Sequence, residues 1–386
     1  KKEGLQHMKN GNIAQAGQPK PASHRDSNIE LFRIITMFFI VAHHYVVNSG
    51  LTLEDGPIAA NPLSGNSIFL LLFGAWGKIG INCFVMITGY FMCKSSITLR
   101  KFAKLLGEIM FYKIGIGLIF LITGYEPLCL KSLVKTFLPV SSVETNFVGC
   151  YILFFLFIPF LNILIRNMTE KQHILLLLLC GFTYVFFGTI KKMPVSMNYV
   201  SWFIVLYFMA SYIRMYPKHI FSKTKLWGML TAGSIVLCSL SVVCCAWLSL
   251  KLHQNIWYFF VTDSNTFLAV LVGVCAFMFF KTIKIKYSSF INTVASTTFG
   301  ILLIHANCDA MRRFLWQDVC QNVKVYDSQL MPLISIGCVC AVFCGCSLID
   351  WLRIRFIEKP FMKKISVWEP KIIAWWHRKE EKYAKF

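Results

Sequence analysis

Charge is scarce in this chain, and negative charge scarcer still. Asp, Glu, Lys and Arg make up 15% of its 386 residues, with 18 acidic against 39 basic, whereas a soluble domain carries about a quarter of its residues charged. A soluble fold must cover itself in polar groups, so this deficit excludes one. Paired Cys-x-x-Cys motifs are missing despite 15 cysteines, so no zinc site and no other metal is expected. The phosphate-binding Gly-rich loop, the dinucleotide Gly-x-Gly-x-x-Gly turn and the Gly-x-Ser-x-Gly elbow do not occur either. Their absence removes the usual grounds for nucleotide hydrolysis, nicotinamide chemistry and serine hydrolysis. Neither an internal repeat nor a fused soluble domain interrupts the chain.

What the chain has instead is apolar length: 56% hydrophobic residues, 35 Phe and a mean hydropathy of +0.59. Windows of membrane thickness give about ten candidate spans, near 30–49, 67–92, 102–124, 147–165, 173–190, 199–215, 226–249, 264–281, 291–307 and 330–350. The expected fold is therefore an all-α polytopic membrane protein, a bundle of about ten transmembrane helices occupying residues 29–352. Residues 1–28 are polar and read as a disordered cytoplasmic tail, with no apolar stretch to act as a cleaved signal. Residues 353–386, with Trp368, Trp375, Trp376 and many Lys, read as a basic amphipathic cytoplasmic segment at the membrane surface or, equally, as a solvated basic tail.

The basic residues collect between alternate spans: Lys94, Arg100, Lys101 and Lys104, then Arg166 and Lys171, then Arg214, Lys218, Lys223 and Lys225, then Lys281, Lys284 and Lys286, then the tail from Arg353. The opposite connections are poorer, and 50–66 holds Glu54 and Asp55 with no cation. By the positive-inside rule both termini are cytoplasmic, with Lys191, Lys192, Arg312 and Arg313 departing from the pattern. The surplus cations answer to an anionic leaflet, so the lipid bilayer is an expected partner and nucleic acid is not.

Within the first span, Arg33 and His44 are eleven residues apart. Eleven steps of about 100° overshoot three turns by only about 20°, so both side chains project from one helix face, about 16 Å apart along its axis. His43 lies about 80° off that face. Ionisable groups in hydrocarbon are costly and mark functional positions facing protein or a wet cavity. With cytoplasmic termini, Arg33 sits near the cytoplasmic surface and His44 near the bilayer midplane. A planar guanidinium at the mouth suits phosphate, and an imidazole kept neutral by burial suits proton abstraction.

The string Asn28-Ile29-Glu30-Leu31-Phe32-Arg33 followed by His44 resembles the opening of the acyltransferase 3 family of integral membrane acyltransferases. Gly80-Ile81-Asn82-Cys83-Phe84-Val85-Met86-Ile87-Thr88-Gly89-Tyr90-Phe91, Leu206 to Arg214 and Phe299-Gly300-Ile301-Leu302-Leu303-Ile304-His305 resemble its later signatures, in order, over about residues 27 to 365. The resemblance implies a multi-pass protein of a bacterial plasma (inner) membrane that takes an acyl group, usually acetyl, from acyl-coenzyme A on the cytoplasmic side. The acceptor would be a hydroxyl of a cell-surface glycan or lipid-linked sugar. It also places His44 at the position of the essential histidine and Arg33 at that of its partner. Phe147 stands where many members carry Trp, so an indole N–H is missing there.

A sugar hydroxyl is a poor nucleophile, so a base must take its proton as it attacks the thioester, and the carbonyl oxygen then needs hydrogen-bond donors. His44 is the candidate base. Asn82, or the backbone at Thr88-Gly89, is a candidate donor, and Tyr151 and His305 are candidate acceptor contacts. Arg100, Lys101 and Lys104 are positive-inside anchors that are also candidates, with Arg33, for coenzyme A phosphates. The bland alternatives are an i,i+3 pair of Arg33 with Glu30, an interhelical hydrogen bond for His44, and a structural polar network for Glu108, Tyr112 and Lys113. Cys308 and Cys320 share an outer loop and are a candidate disulfide. A transporter or flippase, with breaks at Pro139, Pro159 and Pro194, and a non-catalytic scaffold are the competing classes.

Overall fold

A computed structural model describes residues 26–127, 129–138, 140, 146–190 and 198–383. Among these residues there are helices and turns and no strand. The main helices are α1 (Ser27–Val47), α2 (Gly65–Gly74), α3 (Gly77–Met92), α4 (Leu99–Ile122), α5 (Phe147–Asn167), α6 (Glu170–Thr189), α7 (Tyr199–Met215), α8 (Thr224–Leu252), α9 (Phe267–Thr282), α10 (Ser289–Ser296), α11 (Thr298–His305), α12 (Asp309–Val319) and α13 (Met331–Arg353). A π-turn at Ile354–Glu358 carries α13 into α14 (Lys359–Tyr383).

Every apolar run read from the sequence carries helix, but among the described residues seven stretches are long and apolar enough to cross a membrane. An eighth is counted if α10–α11 and α12, bent by 96°, form one broken span. The shortfall against the expected ten lies in α7 and α9, which are apolar but only 17 and 16 residues long. That length is about 25 Å, against a hydrocarbon core of about 30 Å. The expected N-terminal tail falls almost wholly on residues outside the described ones, as do Lys191, Lys192, Pro139 and Pro194; Pro159 lies inside α5.

Side-chain caps start several helices. The Thr98 hydroxyl accepts from the Lys101 N–H, Asn146 from Val148 and Gly149, Asn198 from Ser201, and Thr169 forms a capping box with Gln172. Helix α1 is the hub, packed against α2, α3, α9, α10, α11 and α13. It fits because α3 offers glycine where the contact is closest. A Cβ on Gly77 would come within 2.1 Å of the His43 ring, and one on Gly80 within 2.6 Å of Ile40.

The bundle has a basic end. There Asn28 donates to the carbonyls of Phe280, Lys281 and Ile283 at the close of α9, and Arg214 at the close of α7 donates to the Tyr90 hydroxyl at 2.7 Å. At the other end Tyr326 meets Ser64 and Ser67, and Asn322 donates to the Tyr45 carbonyl.

One ion cluster locks the basic end. Buried Arg353 reaches Asp350 at 2.7 Å, Glu358 at 2.9 Å and Glu108 at 3.0 Å, while Lys104 takes the other oxygen of Glu358 at 2.7 Å and the Tyr112 hydroxyl donates to Asp350 at 2.8 Å. Positions 104, 108 and 112 are successive i,i+4 neighbours, so one face of α4 carries the whole set. Glu108 and Tyr112 thus belong to the structural network that their spacing suggested. Asp350 in turn rests on α11, where a Cβ on Gly300 would lie 2.1 Å from its carboxyl carbon. Removing the shared cation leaves Glu108 and Asp350 without a cation and Glu358 with Lys104 alone. We expect Arg353→Met to destabilise the protein by about 3–5 kcal/mol, read as a lower unfolding midpoint in detergent; an unchanged midpoint would refute the locking role.

Candidate active site at the ends of two helices

Two helices end side by side here. His44 falls in the last turn of α1, and His305 closes α11. His44 therefore stands three residues before the end of α1 at Val47, where the Asn48 N–H closes the last turn on the His44 carbonyl at 3.1 Å. The His44 Nδ1 and His305 Nε2 atoms are 2.9 Å apart. The His305 Nδ1 lies 2.6 Å from the carbonyl oxygen of Ile301, one turn earlier.

These two contacts assign the protons. A carbonyl only accepts, so the Nδ1 of His305 must carry its hydrogen, and in a neutral ring its Nε2 is then a lone pair. The Nδ1 of His44 must donate to that lone pair. The proton-free atom of His44 is consequently Nε2. His305 is fully buried while His44 keeps partial exposure, so the inner ring orients and the outer ring is the reachable one. Both rings sit at helix C-termini, whose negative dipole ends favour the positive charge His44 acquires on taking a proton.

The neighbouring histidine serves the fold. The Nδ1 of His43 bonds the Gly74 carbonyl, and its ring packs on Gly77 at the α2–α3 break. Arg33 lies at the other end of α1, its guanidinium 3.6 Å from Glu30. This is the i,i+3 pair that competed with a functional reading, and no hydrogen bond or ion pair among the described residues joins Arg33 to His44.

Asn82 is spent. Its amide nitrogen donates to the carbonyls of Ser264 at 2.6 Å and Ala269 at 3.1 Å, and its oxygen accepts from the Trp202 indole at 2.9 Å. It ties α3 to α7 and α9, and has no N–H left for a reaction intermediate. The Tyr151 hydroxyl meets Thr88 at 3.0 Å inside a cage of Phe84, Phe147, Phe203 and Phe299. Phe147 stacks on Tyr151 with rings 13° apart, so its ring is taken up by packing. Arg100, Lys101 and Lys104 cluster at the basic end, away from the imidazoles. Cys308 and Cys320 are free thiols; the Cys308 sulfur caps the Met311 N–H at 3.5 Å. No group of three or more metal-ligating side chains exists among the described residues.

Sequence reasoning missed three neighbours of the histidine pair. Trp316 packs edge-on at 6.3 Å from His305, fully buried and with no partner for its indole N–H. Lys78, held by the Tyr199 hydroxyl at 2.7 Å, and Arg312, held by Asp309 at 2.8 Å, lie within electrostatic reach of His44. Two of these were signalled: Arg312 departs from the positive-inside pattern, and Lys78 is a lone cation in an apolar run.

A family model described as an acyltransferase domain matches residues 26–351, from the first turn of α1 to the last turn of α13. The chain belongs to the acyltransferase 3 family. No curated protein and no solved structure gives a match. The acyltransferase match takes in both histidines and Arg33 and stops before the π-turn and α14. In this acyltransferase Asn82 is a latch, so Asn82→Ala should lower stability by about 2–4 kcal/mol through the orphaned Trp202 and backbone groups. Thermal unfolding of the purified variant measures this; a fully stable variant with weakened acceptor affinity would return Asn82 to the site.

Proposed function

We propose that this membrane acyltransferase moves an acyl group, acetyl foremost, from acyl-coenzyme A to a hydroxyl of a cell-surface glycan or lipid-linked sugar, with His44 as general base. The observation that carries the proposal is the carbonyl–imidazole–imidazole chain, which leaves one lone pair, on Nε2 of the more exposed ring.

In the proposed step, Nε2 of His44 takes the acceptor's hydroxyl proton as the oxygen bonds to the thioester carbon. The carbonyl electron pair moves to oxygen, returns as the C–S bond breaks, and the leaving thiolate recovers the proton from His44. Through this cycle His305 accepts from the Nδ1–H of His44 and passes the demand to the Ile301 carbonyl, as an orienting group does in a nucleophile–base–orienter triad. Lys78 and Arg312, each also paired with a carboxylate (Asp263 and Asp309), are the cations in electrostatic reach of His44 that would stabilise the oxyanion.

The donor's charged end belongs at the basic end. Cations there match phosphate, and the positive-inside rule makes that end cytoplasmic, where Arg33, Arg100, Lys101 and Lys104 await it. The about 16 Å between Arg33 and His44 is then the depth the donor's flexible arm has to cover. A glycan acceptor would arrive from the opposite end, where α1 and α11 terminate.

His44→Ala should lower acyl transfer from labelled acetyl-coenzyme A by about 100- to 10,000-fold, with donor affinity and folding retained. Full activity in the folded variant would remove His44 as base, and label reaching no acceptor in the parent would favour transport. His305→Ala should cost about tenfold or more in turnover, because His44 loses the group that fixes its tautomer; an unaffected rate would make the contact structural only.

A further inference from the structure

A concavity of about 570 Å³ lies at the basic end between the first turns of α4 and the start of α14. Its volume is that of a small-ligand site. Arg100, Lys101 and Lys104 line one wall, Lys359 and Lys363 the other, and Glu358 is the one carboxylate among the lining residues. That carboxylate is already neutralised by Lys104 at 2.7 Å and Arg353 at 2.9 Å. Among the described residues no carboxylate pairs with Arg100, Lys359 or Lys363.

The two walls repeat one pattern. Arg100 and Lys104 are i,i+4 neighbours on α4, as Lys359 and Lys363 are on α14, and a like-charge pair at this spacing is destabilising on its own. The helices are nevertheless pressed together by contacts behind the cations: the Arg353 cluster, and Phe361, which lies 3.7 Å from where a Cβ on Gly107 would sit. Arg100, Lys359 and Lys363, with no carboxylate partner among the described residues, thus line one concavity held by a fixed frame, and an anion with several negative oxygens offsets their mutual repulsion.

We propose that this pocket binds a phosphorylated anion, with α14, which lies wholly beyond the family match, supplying its second wall. The phosphates are those of the nucleotide end of the acyl donor or of an anionic lipid headgroup. The first source rests on the reading of acyl-coenzyme A as donor; the second stands without it.

The test uses the purified full chain in phosphatidylcholine nanodiscs. One arm titrates coenzyme A; the other doubles and redoubles the phosphatidylglycerol content and counts retained anionic lipid by native mass spectrometry. Lys359→Gln with Lys363→Gln should weaken one of the two anions by about tenfold, while Lys251→Gln, an exposed cation at the far end of α8, changes neither. Loss in the first arm assigns the donor's phosphates. Loss only in the second assigns a headgroup site, and coenzyme A that fails to bind even the parent overturns the donor reading while leaving the pocket intact. If the folded double variant binds both anions like the parent, the pocket proposal is wrong. Lys363→Glu, which reverses charge at one exposed position, repeats the comparison should the double variant lose its native unfolding midpoint.

Discussion

The carbonyl oxygen of Ile301 is an ordinary acceptor in an ordinary helix, yet because it can only accept, it dictates where the protons sit on two imidazoles in succession. Helical carbonyls have a second lone pair, and α11 uses one for a side chain exactly one turn onward. From that contact follow the tautomer of His305, the tautomer of His44 and the identity of the single basic nitrogen left over. The two rings are held by one another and by a main-chain carbonyl, with no carboxylate bonded to either among the described residues, which suits a site in a bundle where desolvating an anion is costly.

That chain of hydrogen bonds requires α1 and α11 to end at the same level, and much of the remaining structure enforces this. Gly77 and Gly80 bring α3 against α1, and Asn82, two residues on, pins α3 to α7 and α9. At the opposite end Asp350 presses on Gly300, five residues before His305, and is itself held by Arg353 and Tyr112. The ion cluster therefore acts on the histidine pair through one short rigid helix. A buried cluster of this kind is not a large net source of stability, since desolvation offsets most of its Coulomb energy. Its value is positional, because it ties α4 to α13 and the π-turn while Asp350 abuts α11 at Gly300.

Much of this was legible in the sequence, and the parts that were not share a cause. Apolar runs gave the helices because the bilayer forces backbone groups to pair within each segment. The face shared by Arg33 and His44, and by Glu108 and Tyr112, followed from helical periodicity alone. The partner of His44 did not, since His305 is 261 positions away and only the packing of α1 on α11 brings it near. The partners of Asn82 were hidden for the same reason: they are the backbone carbonyls of Ser264 and Ala269 and the Trp202 indole, all far away in sequence. The two short helices, α7 and α9, come out shorter than the windows that marked them because hydropathy averages over a window and does not see where a helix stops.

His43 and His44 show how neighbouring, chemically identical side chains are given different work. Adjacent helix positions point about 100° apart, so one ring turns toward α3 and the other toward α11. Toward α3 there is the Gly74 carbonyl at the α2–α3 break and Gly77 beyond it, and a ring in that notch is held by a hydrogen bond and by packing on the glycine. Toward α11 there is another imidazole, itself already saturated on its far nitrogen. A ring bonded through one nitrogen to a saturated partner keeps its other nitrogen for chemistry, whereas a ring wedged between two helices gives up its freedom to the fold. Sequence order alone makes the two equivalent, and the difference arises from what each helix face meets.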